Sequence, residues 1–78
     1  MKKIHRIEAY FSICLETVQV VKSNPICTSN LVSEKTGMSK RSAQRYLIIL
    51  EKLNIVRKIG TTEYRWFLTE NGEQIFKN

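Results

Sequence analysis

The 78-residue sequence predicts a mostly helical α+β domain: three helices, a two-stranded hairpin and a short closing helix. Three observations carry this expectation. Apolar residues recur at helical spacing from residue 4 to residue 23. A glycine at position 37 separates two further helical segments, each with its own capping residue. After Asn54 the pattern changes from helical spacing to alternation. One domain is expected over residues 1–78, because a chain this short buries only about 60% of its unfolded surface. Its core needs most of the apolar residues, which leaves little room for a deep catalytic cavity.

The first helix is expected over residues 4–23. Ile4, Ile7, Phe11, Cys14, Val18 and Val21 follow a 3-4-3-4-3 spacing and form one apolar seam. Tyr10, Ile13, Thr17 and Val20 form a second stripe beside it. That stripe is either a wider part of the buried face or a subunit interface, and Tyr10, Ile13 and Val20 are its candidate interface residues. Pro25 ends the helix by pushing Asn24 out of the α region.

The second helix is expected over 28–37, capped by Thr28 or Ser29, carrying Leu31 and Val32, and closed by Gly37. Ser39 caps the third, over 39–53, and Asn54 closes it. Two short helices joined by a tight Gly-containing turn make a helix-turn-helix arrangement. On the third helix Ala43, Tyr46, Leu47, Leu50 and Leu53 project within an arc of roughly 120° and are expected in the core. Lys40, Arg41, Gln44, Arg45 and Ile48 occupy the opposite side, and no acid appears between Lys35 and Arg45. A solvated face usually mixes charge signs. This one suits the major groove, where Arg pairs with guanine edges and Gln with adenine.

The hairpin is expected over 55–68, with strands at 55–59 and 63–68 and a Gly60-Thr61-Thr62 turn. Trp66 and Leu68 are expected to cap the helical core, while Arg57, Lys58 and Arg65 offer cations to phosphates. Thr69 caps a last helix over 70–77, with Ile75 and Phe76 as its apolar contacts.

Composition narrows the partners. Thirteen Lys and Arg against seven Asp and Glu give a net charge of +6. Residues 35–65 carry a net +6, residues 1–34 carry +1, and residues 66–78 carry −1. Charge for solubility alone would not segregate onto one helix and one hairpin. An anionic partner is expected, nucleic acid rather than a membrane, because the first helix carries little of the excess. No signal-peptide h-region and no apolar run of membrane-spanning length is seen. Cys14 and Cys27 lack metal-site or disulfide-scaffold spacing and are expected as reduced thiols in a cytoplasmic protein. His5 is the single histidine, so no His-based metal site or triad can form within one chain. With no GxGxxG, P-loop or paired carboxylates, neither an enzyme nor a cofactor is expected. RNA binding is disfavoured, since stacking platforms are not evident among seven aromatics.

The order of elements and the runs TSNLVSEKTGMS at 28–39, AQRYLIILEKLNIV at 43–56 and YRWFLTENG at 64–72 resemble the winged helix-turn-helix family. Within it the chain looks like small MarR-like or viral and plasmid-type prokaryotic regulators, best over residues 28–72. The resemblance implies a sequence-specific double-stranded DNA-binding transcriptional regulator that works as a homodimer. It places Ser39, Lys40, Arg41, Gln44 and Arg45 in the major groove, and Arg57, Lys58 and Arg65 of the wing on the backbone or minor groove. The wing turn lacks the Lys or Arg usual at its tip, and Asn54 stands where many members have Gly. The helices that build an effector pocket in full-length MarR proteins are absent from the pattern, so no small-molecule effector is expected. The alternative is a winged-helix protein-interaction module that grips an acidic protein partner.

Overall fold

The computed structural model describes the backbone of residues 2–75 and the side-chain surroundings of residues 9–75. Three helices come first: α1 (Lys2–Ser23), α2 (Ser29–Thr36) and α3 (Lys40–Lys52). Strands β1 (Val56–Ile59) and β2 (Arg65–Leu68) follow, and α4 (Glu70–Gln74) closes the chain. The side chains of Ile4, His5 and Ile7, and the whole of Phe76, lie outside the described residues, while the last helix, expected over 70–77, ends at Gln74 with Ile75 as its C-cap.

Local hydrogen bonding explains where each element begins and ends. The Thr28 hydroxyl accepts from the Leu31 N–H (3.3 Å), which makes Thr28 and not Ser29 the cap of α2. Gly37 takes the left-handed conformation (φ 80°) and donates its N–H to the Ser33 carbonyl. Ser39 then accepts from the Ser42 N–H at 3.1 Å and starts α3. The turn between them is fixed by the Ser33 hydroxyl, which donates to the Met38 carbonyl (2.6 Å). Asn54 is left-handed (φ 60°), as expected of the residue that closes α3. Thr69 accepts from the Gly72 N–H at 3.0 Å and donates to the Asn54 carbonyl, so one side chain starts α4 and ties it to the exit of α3.

The hairpin is antiparallel, with Val56 opposite Leu68, Arg57 opposite Phe67, Lys58 opposite Trp66 and Ile59 opposite Arg65. Among the described residues one bridge extends this sheet. The Trp66 N–H donates to the Cys27 carbonyl (2.8 Å), which makes the segment after Pro25 a one-residue third strand.

The core gathers Val18, Val21, Cys27, Val32, Ala43, Leu47, Leu50, Val56 and Trp66. Three expectations fail here: Phe11 is 65% exposed, Leu53 62% and Ile75 45%, although the apolar pattern predicts each as a packing contact. At 22 residues α1 is about 33 Å long, and its core-facing stripe runs past the end of the core. Leu53 is the C-cap of α3 and has already left the helical path. The two stripes of α1 merge where the core begins. Thr17 of the second stripe is fully buried, its hydroxyl donating to the Ile13 carbonyl at 2.8 Å, beside Val18 of the first.

Candidate nucleic-acid interface

The Ser39 cap sets the start of α3, and helical periodicity does the rest. Burial of Ala43, Leu47 and Leu50 turns Lys40, Arg41, Gln44, Arg45, Ile48 and Lys52 outward. These side chains bound two depressions. A cleft of about 390 Å³ lies between α3, the start of α2 and the wing, and Lys40, Gln44, Lys58 and Tyr64 are among its walls. A shallower groove of about 580 Å³ runs along the outer side of α3, past Ser39, Arg41, Arg45 and Lys52. Gln44 and Ile48 belong to both. A chain of cations therefore passes from the outer ridge of α3 across the cleft to the wing.

Strand alternation divides the wing cations. Val56 and Trp66 are buried against the helices, and Lys58 shares their face of the hairpin. Its ammonium lies 3.8 Å from a Glu51 oxygen, 4.6 Å from the centre of the Tyr64 ring and 5.9 Å from that of Trp66. Tyr64 meets Trp66 edge to face at 6.5 Å. Lys58 is thus held at the cleft by a carboxylate and two aromatic rings. Arg57 and Arg65 alternate onto the opposite face, where the Arg57 guanidinium lies 5.9 Å from the Phe67 ring centre. The three cations expected to act together are split, one with α3 and two facing away from it.

The other expected residues find distinct surroundings. The Ser39 hydroxyl is engaged in capping and also donates to the Ser42 hydroxyl. On α1, Tyr10 is 52% exposed, Ile13 is half-buried, and Val20 is half-buried against the core. Sequence reasoning missed Asn30, Thr62, Glu63 and Tyr64 as walls of the cleft. The parity of Tyr64 with the buried Trp66 was the signal available for it, while the position of the α2 start left no local trace.

Burial pushes the Cys27 thiol up to about 11 and raises that of Cys14 above its ordinary value. Both stay protonated at neutral pH and neither lines the cleft. Among the described residues no group of three or more His, Cys, Asp or Glu could hold a metal ion. No helix among them is long and apolar enough to cross a membrane.

No protein-family model matches the sequence, and no curated protein matches it. A solved structure does match by shape: the Zalpha domain from Carassius auratus PKZ, in complex with Z-DNA. The TM-score is 0.74 at 18% identity, over 78% of this chain and 98% of that one. The fold is a winged helix. In winged-helix terms α2 and α3 are the helix-turn-helix pair, and β1 and β2 are the wing, as the sequence predicts.

Proposed function

We propose that this winged helix binds duplex DNA through the exposed face of α3 and the cleft beside it. The observation that carries the reading is the run Lys40, Arg41, Arg45, Lys52 and Lys58, continuous across α3, cleft and wing. Glu51 is the acid within it and is paired to Lys58; Glu63 stands at the turn. In the full form of the proposal the chain is a sequence-specific transcriptional regulator in the cytoplasm. The N-terminal half of α3 enters the major groove, Arg41 and Arg45 read guanine edges, and Lys40 and Lys58 hold phosphates. It works as a homodimer whose symmetry doubles the few base contacts of one module, with Tyr10 and Ile13 of α1 at the interface. Sedimentation of the full chain tests that pairing, and a Tyr10→Ser/Ile13→Ser variant should shift it toward monomer.

A gel-shift with mixed-sequence duplex at low salt tests the proposal. Binding is expected; no binding favours a winged helix that grips an acidic protein instead. Selection from random duplexes should then return a palindromic site. A second reading comes from the shape match to a domain solved with Z-DNA. In that case the cleft recognises backbone shape, and α3 with the wing lies along one strand. An alternating CG duplex in its left-handed form would then outcompete B-form duplex, and the protein would invert its circular dichroism. Equal competition by both forms would overturn the second reading.

A further inference from the structure

The face of the wing turned away from α3 has a composition of its own. By alternation it carries Arg57 and Ile59 from β1 and Arg65 and Phe67 from β2. The Cys27–Trp66 bridge adds a third row, since its antiparallel register sets Ile26 opposite Phe67. Ile26 is 60% exposed and Ile59 50% exposed, while both arginines are exposed. The inner face of the same sheet is covered by the helical core. Among the described residues the outer face is exposed apart from the half-buried Phe67, and a groove of about 270 Å³ below it is bounded by Pro25, Arg57, Phe67 and Glu73.

We propose that this outer sheet face docks an acidic, apolar segment of a partner protein. Charge selects the occupant. Arg57 and Arg65 offer two planar guanidiniums, one already laid over Phe67, and such groups pair with carboxylates in a fork geometry. A second copy docked face to face would set these arginines against their own symmetry mates, which disfavours self-association here. Nucleic acid would satisfy the arginines but would leave Ile26 and Ile59 facing a phosphate backbone that has no apolar partner for them. A segment that alternates carboxylates with large apolar residues meets both needs. Because Lys58 and α3 lie on the other side of the hairpin, such a partner and a duplex can be held together, one on each face.

The test uses the full chain and a fluorescein-labelled synthetic peptide that alternates Glu with Leu and Phe, followed by anisotropy. The peptide should bind without DNA and equally well when a duplex is present. Arg57→Glu/Arg65→Glu should weaken peptide binding about tenfold or more, as expected for charge pairs at an interface. Ile26→Ser/Ile59→Ser should also weaken it, and Arg57→Gln/Arg65→Gln gives a milder pair with circular dichroism as the check on folding. The salt slope of duplex binding should be unchanged in all of them, although the Glu pair lowers the net charge from +6 to about +2 and with it the affinity at low salt. No peptide binding, or binding indifferent to the arginine pair, overturns the proposal. So does a fall in that slope on neutralising the arginines with Gln, which would assign this face to nucleic acid. The peptide arm is read without DNA, so failure of the duplex-binding reading is seen separately.

Discussion

Lys58 and Arg57 are neighbours in sequence, yet removing Lys58 should weaken DNA binding while removing Arg57 should not. Lys58 joins Lys40, Arg41, Arg45 and Lys52 on the surface proposed to face the duplex, five cations in all. If each neutralises one phosphate of B-form DNA, the slope of log K against log salt is about −4.5. Between about 50 and 200 mM salt that corresponds to a roughly 500-fold loss of affinity. Lys58→Ala should bring the slope to about −3.6 and the loss to roughly 150-fold. Arg57→Ala and Arg65→Ala should leave the slope of the intact protein, because alternation turns both side chains away from α3.

Fluorescence anisotropy with a labelled duplex over a salt series measures all of these slopes. Glu51 supplies an internal control, since it lies 3.8 Å from the Lys58 ammonium with each side chain about one-third exposed. A pair this accessible contributes only about 0–1 kcal/mol, so Glu51→Gln should strengthen binding by no more than about fivefold. Equal effects of Lys58→Ala and Arg57→Ala would refute the division of the wing into two faces. A slope indifferent to Lys58 would mean that its ammonium stays with Glu51 and Tyr64 when DNA binds.

Other expected outcomes concern the frame that holds this surface. Gly72 is buried, and a methyl group there would strike the Ile55 carbonyl oxygen, so Gly72→Ala should destabilise the fold by about 1–3 kcal/mol, seen as a lower Tm. Ser39→Ala removes the α3 cap and should lower stability by about 1 kcal/mol in denaturant titration, with the salt slope of DNA binding unaltered. Alkaline pH should destabilise the protein through Cys27. Its thiol ionises near 9.0 when unfolded and near 11 when folded, so that contribution is complete below pH 9 and is lost by about pH 11. The loss is roughly 3 kcal/mol once it is complete, and the difference in alkaline stability between the protein and Cys27→Ala measures it.

The capping residues were legible because their chemistry is local. Thr28, Gly37, Ser39, Asn54 and Thr69 each start or close a helix through bonds or backbone conformation within a few residues, as type and position imply, although the Thr69 tie to the Asn54 carbonyl leaves no local trace. The outward face of α3 was legible for a similar reason, since periodicity alone fixes which residues share a side. Phe11 and Leu53 show where that reasoning stops. Period gives the direction of a side chain but not the length of core available to cover it, and α1 extends beyond that core. The wing cations were grouped by counting charge. Parity would have separated Lys58 from Arg57 and Arg65, provided the buried face of the hairpin was known. The Cys27–Trp66 bridge joins positions 39 apart in sequence, and no local pattern announces it.

That bridge ties the stability of the fold to the geometry of its surfaces. The backbone of Trp66 bonds to Cys27, its indole is buried in the core, and its ring lies within reach of Tyr64 and the Lys58 ammonium. Moving Trp66 out of the core would cost several kcal/mol, on the scale of a buried aromatic lost from a small domain. The hairpin register is therefore held as firmly as the core, and with it the side on which each wing cation stands. A slip of one residue in β2 would exchange the two faces, presenting Arg65 to α3 and stranding Trp66 in water. The cost of exposing that one indole keeps Lys58 at the cleft and the arginine pair on the far side.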